Sequence, residues 1–295
     1  MADYGPEWGR APALAGIEEI AAAALEPLFV RAQRTGAESA WYGHVPFAHW
    51  VVAACQPQLL IELGTHNGVS FSAFCEAMAR FAGHGRAFAV DTWAGDEHAG
   101  YYGDEIFWEL QRFHQERYAG FSELLRCSFD DALPYFADGS VDLLHIDGLH
   151  TYEAVSHDWA AWRPKLSPRA VVLLHDTNVR ERGFGVWKLW EELRQAHPHF
   201  EFVHGHGLGV LAVGAEAPQR VQELCAERDP GVVAAARQRF ALLGERWVEA
   251  AERQAAVAAR QKTEAALAGS ETELIGWVRN LRGPIARPAN LKVRT

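Results

Sequence analysis

The sequence predicts an α/β fold in which a mostly parallel sheet is covered by helices on both faces. From Leu59 onward, short apolar runs alternate with longer amphipathic segments, as strands and helices do around a parallel sheet. The last two apolar runs are joined only by His204–Gly207, so they predict a terminal antiparallel hairpin. A glycine-containing turn after the first run completes the pattern.

The apolar spacing gives the range of each element. Predicted strands cover residues 59–63, 86–91, 123–127, 141–146, 170–175, 200–204 and 208–213. Predicted helices between them cover residues 69–82, 104–118, 130–136, 151–163 and 184–196. Ahead of the sheet, Ile17–Arg34 and Trp41–Ala54 also have helical spacing, and the second segment is broken or started around Pro46.

The chain divides into four parts. Residues 1–57 predict an N-terminal helical cap or lid, and residues 58–214 form the predicted sheet domain. Residues 215–282 predict a helical extension, and residues 283–295 a flexible basic tail. In the extension, apolar residues recur at three- and four-residue steps from Val233 to Val257. Two interpretations stay open: a helix packed on its own domain, or a dimer contact or spacer to another module.

Composition and charge argue against several classes of protein. A chain of 295 residues with 49% apolar residues can bury a sizeable core, and its net charge of −10 argues against a nucleic-acid surface. No apolar run approaches the ~18 residues of a membrane span, and the N-terminus lacks signal-peptide features. Cys55, Cys75, Cys127 and Cys225 are widely spaced, which favours reduced core thiols. We therefore expect a cytoplasmic protein.

The stretch Leu59–Ser70 predicts a ligand-binding turn. Its strand ends at Gly64, and Gly68 precedes the next helix, so the backbone can approach a ligand at the helix N-terminus. Glu62 interrupts the apolar strand; a carboxylate there needs a partner, and a ligand ammonium group is one candidate. Asp91 ends the second strand, where it would either accept hydrogen bonds from ribose hydroxyls or cap a loop.

Two later strand ends carry acidic and imidazole groups together. Asp147 and Asp176 each follow a predicted strand, with His150 and His175 close by in sequence. Adjacent parallel strands would direct these side chains at one crevice. Paired carboxylates with imidazole suit a divalent cation, or a general base acting on a hydroxyl. Each residue alone could be a cap or a buried core group, but together they favour a site.

These motifs, in this order, resemble the class I S-adenosylmethionine-dependent methyltransferases, and more narrowly the catechol and bacterial sugar O-methyltransferases. The motifs are E-x-G-x-x-x-G-x-S at 62–70, Asp91, I-D-G-x-H-x-Y-E at 146–153 and H-D-T at 175–177. The resemblance covers roughly residues 40–214. It implies a Rossmann-like, seven-stranded sheet with an antiparallel last strand, S-adenosyl-L-methionine as cofactor, and Mg²⁺ or another divalent cation in metal-dependent members.

The resemblance also implies roles for individual residues. The cofactor would be bound by Glu62, Gly64, Thr65, His66, Asn67, Gly68, Ser70, Asp91, Thr92, Ser128, Phe129 and Asp147. Asp147 and Asp176 match metal-binding carboxylates, whereas Thr177 replaces an Asn ligand of the catechol-type enzymes. His150 stands where those enzymes place the residue that deprotonates the acceptor hydroxyl.

The segment Trp93–Tyr118 is rich in aromatic and histidine residues. It predicts either a lid over the acceptor or an ordinary helix that buries its aromatic rings. Arg180 would bind a phosphate or carboxylate of the acceptor, or would be a solvated surface charge. The candidate acceptor-binding residues are Trp93, Tyr101, Tyr102, His175 and Arg180.

The predicted function is methyl transfer from S-adenosylmethionine to a hydroxyl of a sugar, glycan or other small molecule, with Asp147, His150 and Asp176 at the reaction centre. The alternative is a non-catalytic module of the same fold that assists the assembly of a glycan or natural-product pathway. A nicotinamide-dependent oxidoreductase is more distant, because the first motif lacks a glycine of the dinucleotide fingerprint. Expected partners are the acceptor and, through the C-terminal helix, a second copy or a tethered module.

Overall fold

The structure is a computed structural model that describes residues 23–281. Beyond residue 267, it describes the helix backbone and few side chains. The predicted tail at 283–295 and the beginning of the predicted helix Ile17–Arg34 lie outside the described residues.

Seven strands form one sheet. They are β1 (Leu59–Leu63), β2 (Arg86–Asp91), β3 (Ser122–Arg126), β4 (Val141–Ile146), β5 (Leu166–His175), β6 (His199–Phe202) and β7 (Leu208–Ala212). Their order across the sheet is β3-β2-β1-β4-β5-β7-β6. Only β7 runs antiparallel to its neighbours, and the other pairings are parallel. The predicted sheet, its strand positions and its antiparallel last strand are confirmed.

Helices cover both faces of the sheet. They are α1 (Val45–Cys55), α2 (Val69–Phe81), α3 (Asp104–Gln115), α4 (Phe129–Ala132), α5 (Tyr152–Trp162), α6 (Val186–Ala196), α7 (Gln219–Ala226) and α8 (Pro230–Leu281). Helices α1, α2, α3, α7 and the first part of α8 pack against one face, and α4, α5 and α6 against the other. The buried apolar residues form two clusters, one on each side of the strands.

The N-terminal region differs from its prediction. Within the described part of Ile17–Arg34, the chain forms a 3-10 helix, Ala23–Phe29, followed by irregular backbone. Pro27 lies inside this helix and has no N–H to donate, which disfavours a continuous α-helix. The second predicted helix is a 3-10 turn, Trp41–His44, that leads into α1 with Pro46 in its first turn, as expected.

Two elements were not predicted. The aromatic-rich segment after β2 contains a short hairpin that pairs Gly95–Asp96 with Gly100–Tyr101. Helix α7 follows the sheet, within the extension. Both are short, so neither shows enough apolar periodicity to be found in the sequence.

Helix α8 is 52 residues long, and its two parts have different surroundings. In its first part, Phe240 packs with its ring centroid 5.5 Å from that of Phe47 and 5.3 Å from that of Phe202. Gln254, at a seam position, hydrogen-bonds the hydroxyl of Thr35. Residues 252–267 are exposed. The packed-helix interpretation therefore holds for the first part, whereas a dimer contact or spacer stays a prediction for the second.

Among residues 23–281, no helix combines the length and the apolar composition that crossing a bilayer requires.

Candidate active site

A cavity of about 440 Å³ opens at the carboxyl ends of β1, β2, β4 and β5. One wall is the segment Gly64–Ser70, called here the β1 turn. A second wall carries a group of ionisable side chains, called here the acid–imidazole cluster: Asp147, His150, His175, Asp176 and His206. Because both walls enclose the same space, a ligand on the β1 turn would lie beside the cluster.

The β1 turn depends on glycine where β1 meets β4. Gly64 has a φ of +84°, and a Cβ atom there would lie 2.1 Å from the carbonyl oxygen of Asp147. Any side chain would therefore push β1 and β4 apart at the cavity floor. Gly68 also has a positive φ, of +71°, and α2 begins at the next residue. The chain thus turns tightly and presents the N-terminus of α2 near the cavity.

Asp91 orders this turn through backbone hydrogen bonds. Its Oδ2 atom accepts from the backbone N–H groups of Thr65 and His66, at 2.8 and 2.9 Å. Its Oδ1 atom accepts from the N–H of Trp93 at 2.7 Å. The loop-capping role is therefore present in the structure. Since a carboxylate has about four acceptor positions, one remains for a ligand, and the ribose contact stays a prediction.

Glu62 lies beneath the cavity instead of on its wall. It is fully buried, and its Oε2 atom lies 2.8 Å from Nδ1 of His145, its register partner on β4. Burial raises the pKa of Glu62, while His145 and the hydroxyl groups of Ser70 and Thr65 lower it. His145 was not predicted as the partner of Glu62. The two residues occupy equivalent positions, since Glu62 stands two residues before Gly64 and His145 stands two residues before Asp147. The predicted contact of Glu62 with the cofactor stays a prediction.

The acid–imidazole cluster alternates carboxylates with histidines. His150 Nε2 lies 2.8 Å from Asp176 Oδ2 and 3.5 Å from Asp147 Oδ1. His175 Nδ1 lies 3.2 Å from Asp147 Oδ1 and 3.4 Å from Asp176 Oδ2. On the outer side, His206 Nδ1 lies 3.2 Å from Asp176 Oδ1. The topology brings residues from β4, β5 and the β6–β7 hairpin into one charged group.

Mutual attraction changes the protonation of this cluster. Burial alone would raise the pKa of Asp147 and Asp176, but the neighbouring histidines hold both well below the usual range. Burial would lower the pKa of His150, yet its contacts with the two carboxylates raise it to about 9. The same carboxylates raise the pKa of His175 well above its ordinary value. The structure therefore favours positive charge beside both carboxylates.

Two loops meet over His150. The ring of Phe184 stacks on those of His150 and His98, with both pairs of centroids 4.5 Å apart. Arg182 donates a hydrogen bond to the backbone carbonyl of His98 at 2.7 Å. These contacts hold the loop after β5 against the loop after β2. Residues of the loop after β2 line the cavity, which agrees with the lid interpretation of the aromatic segment.

Most of the predicted site residues line the cavity. These are Gly64, Thr65, His66, Asn67, Ser70, Asp91, Thr92, Tyr102, Ser128, Phe129, Asp147, His150, His175 and Asp176. Those that the structure places off its wall are Glu62, Gly68, Trp93, Tyr101, Thr177 and Arg180.

Three of the residues off the wall have other contacts or face solvent. Trp93 is buried and donates its indole N–H to the carbonyl of His66 at 2.9 Å. Tyr101 is 81% exposed, and the Arg180 guanidinium lies over the ring of Trp187. The structure places none of these residues on the cavity wall, and their contact with an acceptor stays a prediction.

Several cavity residues were not predicted. They are contributed by the N-terminal segment, the two loops and the terminal hairpin: Ser39, Trp41, Asp96, Phe184 and His206. They lie far apart in sequence and follow no motif, so only their arrangement in the fold identifies them. One signal in the sequence points to His206: the segment His204–Gly207 contains two histidines. Its predicted role is only to connect the last two strands.

One family model matches the part of the chain that contains most of the site. Residues 61–177 match the model of a family described as a methyltransferase domain. This range runs from β1 to just beyond β5 and contains the β1 turn, Asp91 and four residues of the acid–imidazole cluster. With its strand order, this part of the chain is similar to a methyltransferase domain.

One curated relative is considerably longer than this chain. An uncharacterized protein of Sinorhizobium fredii (strain NBRC 101917 / NGR234), y4gI, is 48% identical over 214 residues. The alignment covers 72% of this chain and 23% of that protein. The chain thus spans less than a quarter of the relative's length.

Solved structures are more distant. The O-methyltransferase TomG of Streptomyces achromogenes, in complex with S-adenosylmethionine, has a TM-score of 0.46 and 16% identity, over 65% of this chain and 90% of TomG. An O-methyltransferase of Bacillus cereus, in complex with S-adenosylhomocysteine, has a TM-score of 0.42 and 15% identity, over 61% of this chain and 84% of its own. Both TM-scores lie under 0.5, so neither likeness bears on the function of this chain.

Proposed function

We propose that this domain transfers the methyl group of S-adenosylmethionine to a hydroxyl of a sugar, glycan or other small acceptor. One observation carries the proposal: the β1 turn and the acid–imidazole cluster line the same cavity. Methyl transfer is an in-line displacement, so the acceptor oxygen, the methyl carbon and the sulfur must be aligned. A cofactor on the turn would bring its methyl group towards the cluster, where an acceptor could be activated.

The β1 turn has the features that a nucleoside-containing cofactor requires. Backbone approaches the cavity at Gly64, and Asp91 keeps one acceptor position beside it. Ser128 and Phe129 lie on the same wall and would contact the adenine ring. In this proposal, the methionine end of the cofactor lies towards Ser70, above the buried Glu62.

His150 is the proposed general base. A hydroxyl is a poor nucleophile at neutral pH, and a neutral imidazole within reach can take its proton as the methyl group is transferred. The two carboxylates that hold His150 raise its pKa to about 9, so its proton must be shared or displaced before it can act as a base. Asp147 and Asp176 would orient the imidazole in either state.

A divalent cation, Mg²⁺ or another, is a separate part of the proposal. Asp147 and Asp176 offer carboxylate oxygens that could hold one, and a bound cation would lower the pKa of the acceptor hydroxyl. Thr177, the third candidate ligand, lies off the cavity wall, with its hydroxyl against Gly207. Its assignment has no geometric support.

Two measurements test this function. Calorimetric titration with S-adenosylhomocysteine should show binding in the micromolar range, because the product retains every group that the β1 turn would contact. A screen of sugar and phenolic acceptors, coupled to formation of S-adenosylhomocysteine, should then identify a methylated product. Binding without turnover on any hydroxylated acceptor would contradict the O-methylation proposal.

A second candidate function is a non-catalytic module within a larger pathway protein. It is favoured by the exposed stretch 252–267 of α8 and by the greater length of the Sinorhizobium relative. In that case, α8 would join the domain to another module or to a second copy. Failure of S-adenosylhomocysteine to bind would favour this alternative over methyl transfer.

A further inference from the structure

The ring of His175 has one nitrogen whose role is fixed. Its Nε2 atom lies 3.0 Å from the backbone carbonyl oxygen of Gly205, which can only accept a hydrogen bond, so Nε2 must carry a proton. His44 Nε2 lies 3.0 Å from the same oxygen. The hairpin carbonyl thus receives two imidazole donors and fixes the orientation of the His175 ring.

The other nitrogen of His175 therefore needs a cation. Its Nδ1 atom faces Asp147 Oδ1 at 3.2 Å and Asp176 Oδ2 at 3.4 Å. A bare lone pair facing two carboxylate oxygens would be repelled by both. A positively charged species must lie at this nitrogen, and two species fit: a second ring proton, or a metal ion.

The distances favour the metal ion. A charge-assisted N–H···O bond is usually about 2.7–2.9 Å long, and both Nδ1 distances are longer. Neighbouring ligands at 2.0–2.2 Å from one ion lie about 3–3.6 Å apart, which includes both distances. The contrast with His150 is informative, since its Nε2 lies 2.8 Å from Asp176, as an imidazolium ion pair does.

The surroundings match those of known metal ligands. The three donor atoms of Asp147, His175 and Asp176 can all lie within 4.8 Å of one another. A metal-binding histidine commonly donates its second N–H to a backbone carbonyl, as His175 does to Gly205. Asp176 has a φ of +62°, an unfavourable conformation for a non-glycine residue that is concentrated at functional sites.

We propose that His175 is a metal ligand and that, with Asp147 and Asp176, it selects a transition-metal ion such as Mn²⁺, Co²⁺ or Zn²⁺ over Mg²⁺. Mg²⁺ prefers oxygen ligands, whereas imidazole nitrogen suits the later divalent metals. The catalytic meaning of this site rests on the proposed function, because the cation would lie where the acceptor hydroxyl is activated. His175 replaces Thr177 as the third protein ligand.

Metal titration of the full-length chain tests the proposal. After removal of metals by chelation, Mn²⁺ and Co²⁺ should bind at least tenfold more tightly than Mg²⁺ in calorimetry. His175→Ala should weaken Mn²⁺ binding by 10-fold or more and leave Mg²⁺ binding within about threefold. His157→Ala is the matched control, because it removes an exposed histidine that does not line the cavity and should change neither affinity.

Electron spin-echo spectroscopy of bound Mn²⁺ detects an imidazole ligand directly. It therefore distinguishes the loss of a ligand from a folding defect. The unsubstituted protein should show coupling to an imidazole nitrogen, and this coupling should be lost in His175→Ala but kept in His157→Ala. Absence of metal binding, absence of nitrogen coupling in the unsubstituted protein, or coupling that persists in His175→Ala would each overturn the proposal. Titration with S-adenosylhomocysteine, with chelator present, separates this failure from failure of the methyltransferase function.

Discussion

The β1 turn and the acid–imidazole cluster face the same cavity but are built in different ways. The turn is one continuous segment whose shape depends on backbone conformation, with Asp91 accepting the N–H groups that it exposes. The cluster is assembled from side chains of opposite charge that come from separate parts of the chain. A substitution in the turn should therefore act through strain and binding. A substitution in the cluster should act through charge and catalysis.

The largest expected effect tests the catalytic side of this comparison. His150→Ala removes the proposed base and should reduce turnover about 1,000-fold, within the range of general acid–base catalysis. Binding of S-adenosylhomocysteine should change little, because the β1 turn is untouched. Single-turnover kinetics and calorimetry measure the two quantities. His157→Ala, at an exposed histidine paired with Asp130, serves as the control. Unchanged turnover in His150→Ala would rule out the base assignment.

The next effect tests the binding side. Gly64→Ala places a Cβ atom at a φ of +84° and 2.1 Å from the carbonyl oxygen of Asp147. We expect S-adenosylhomocysteine affinity to fall about 100-fold, which corresponds to about 2.7 kcal/mol, within the cost of displacing strained backbone. Gly139→Ala is the matched control, since Gly139 has a φ of +70° but no atom within 4 Å of the added Cβ. Equal effects of the two substitutions on affinity would show that the close approach to β4 is unimportant.

The same contrast explains which parts of the site could be predicted. The β1 turn and the strand ends are local, so Gly64, Asp91 and Asp147 could be placed from apolar runs and glycines. The partner of Glu62 and the contribution of His206 depend on which strands are neighbours and on how the terminal hairpin folds back. A single sequence holds no record of such long-range contacts. The N-terminal segment also differed, because helical spacing there competed with Pro27.

A smaller effect tests how strongly the turn depends on its one carboxylate. Asp91→Asn turns an acceptor of backbone N–H groups partly into a donor, so at least one of its three hydrogen bonds is lost. We expect S-adenosylhomocysteine affinity to fall about tenfold, since a hydrogen bond to a charged group contributes about 1.5–3 kcal/mol. Asp96→Asn is the control, because Asp96 also accepts two backbone N–H groups on the cavity wall. A similar loss in both variants would mean that any loop-capping carboxylate has this effect.

The smallest effect concerns Asp158, a carboxylate that lacks the partners that the turn and the cluster provide. It is buried on α5, and within the described residues no donor hydrogen-bonds its side chain. Burial raises its pKa to about 7, with His157 lowering and Asp130 raising it. The folded protein therefore keeps a proton on Asp158 at pH values where the unfolded chain has lost it.

The sign of the pH dependence follows from this difference. Between about pH 4 and 7 the folded state binds more protons than the unfolded state, so the contribution of Asp158 to stability falls as pH rises. Asp158→Asn keeps the shape without the charge, and should raise the free energy of unfolding by about 1 kcal/mol at pH 8 and by much less at pH 4. Urea unfolding at both pH values measures the difference, with Asp138→Asn, at an exposed carboxylate that does not shift the pKa of Asp158, as control. A gain of the same size at both pH values would show that Asp158 is not destabilised by burial of its charge.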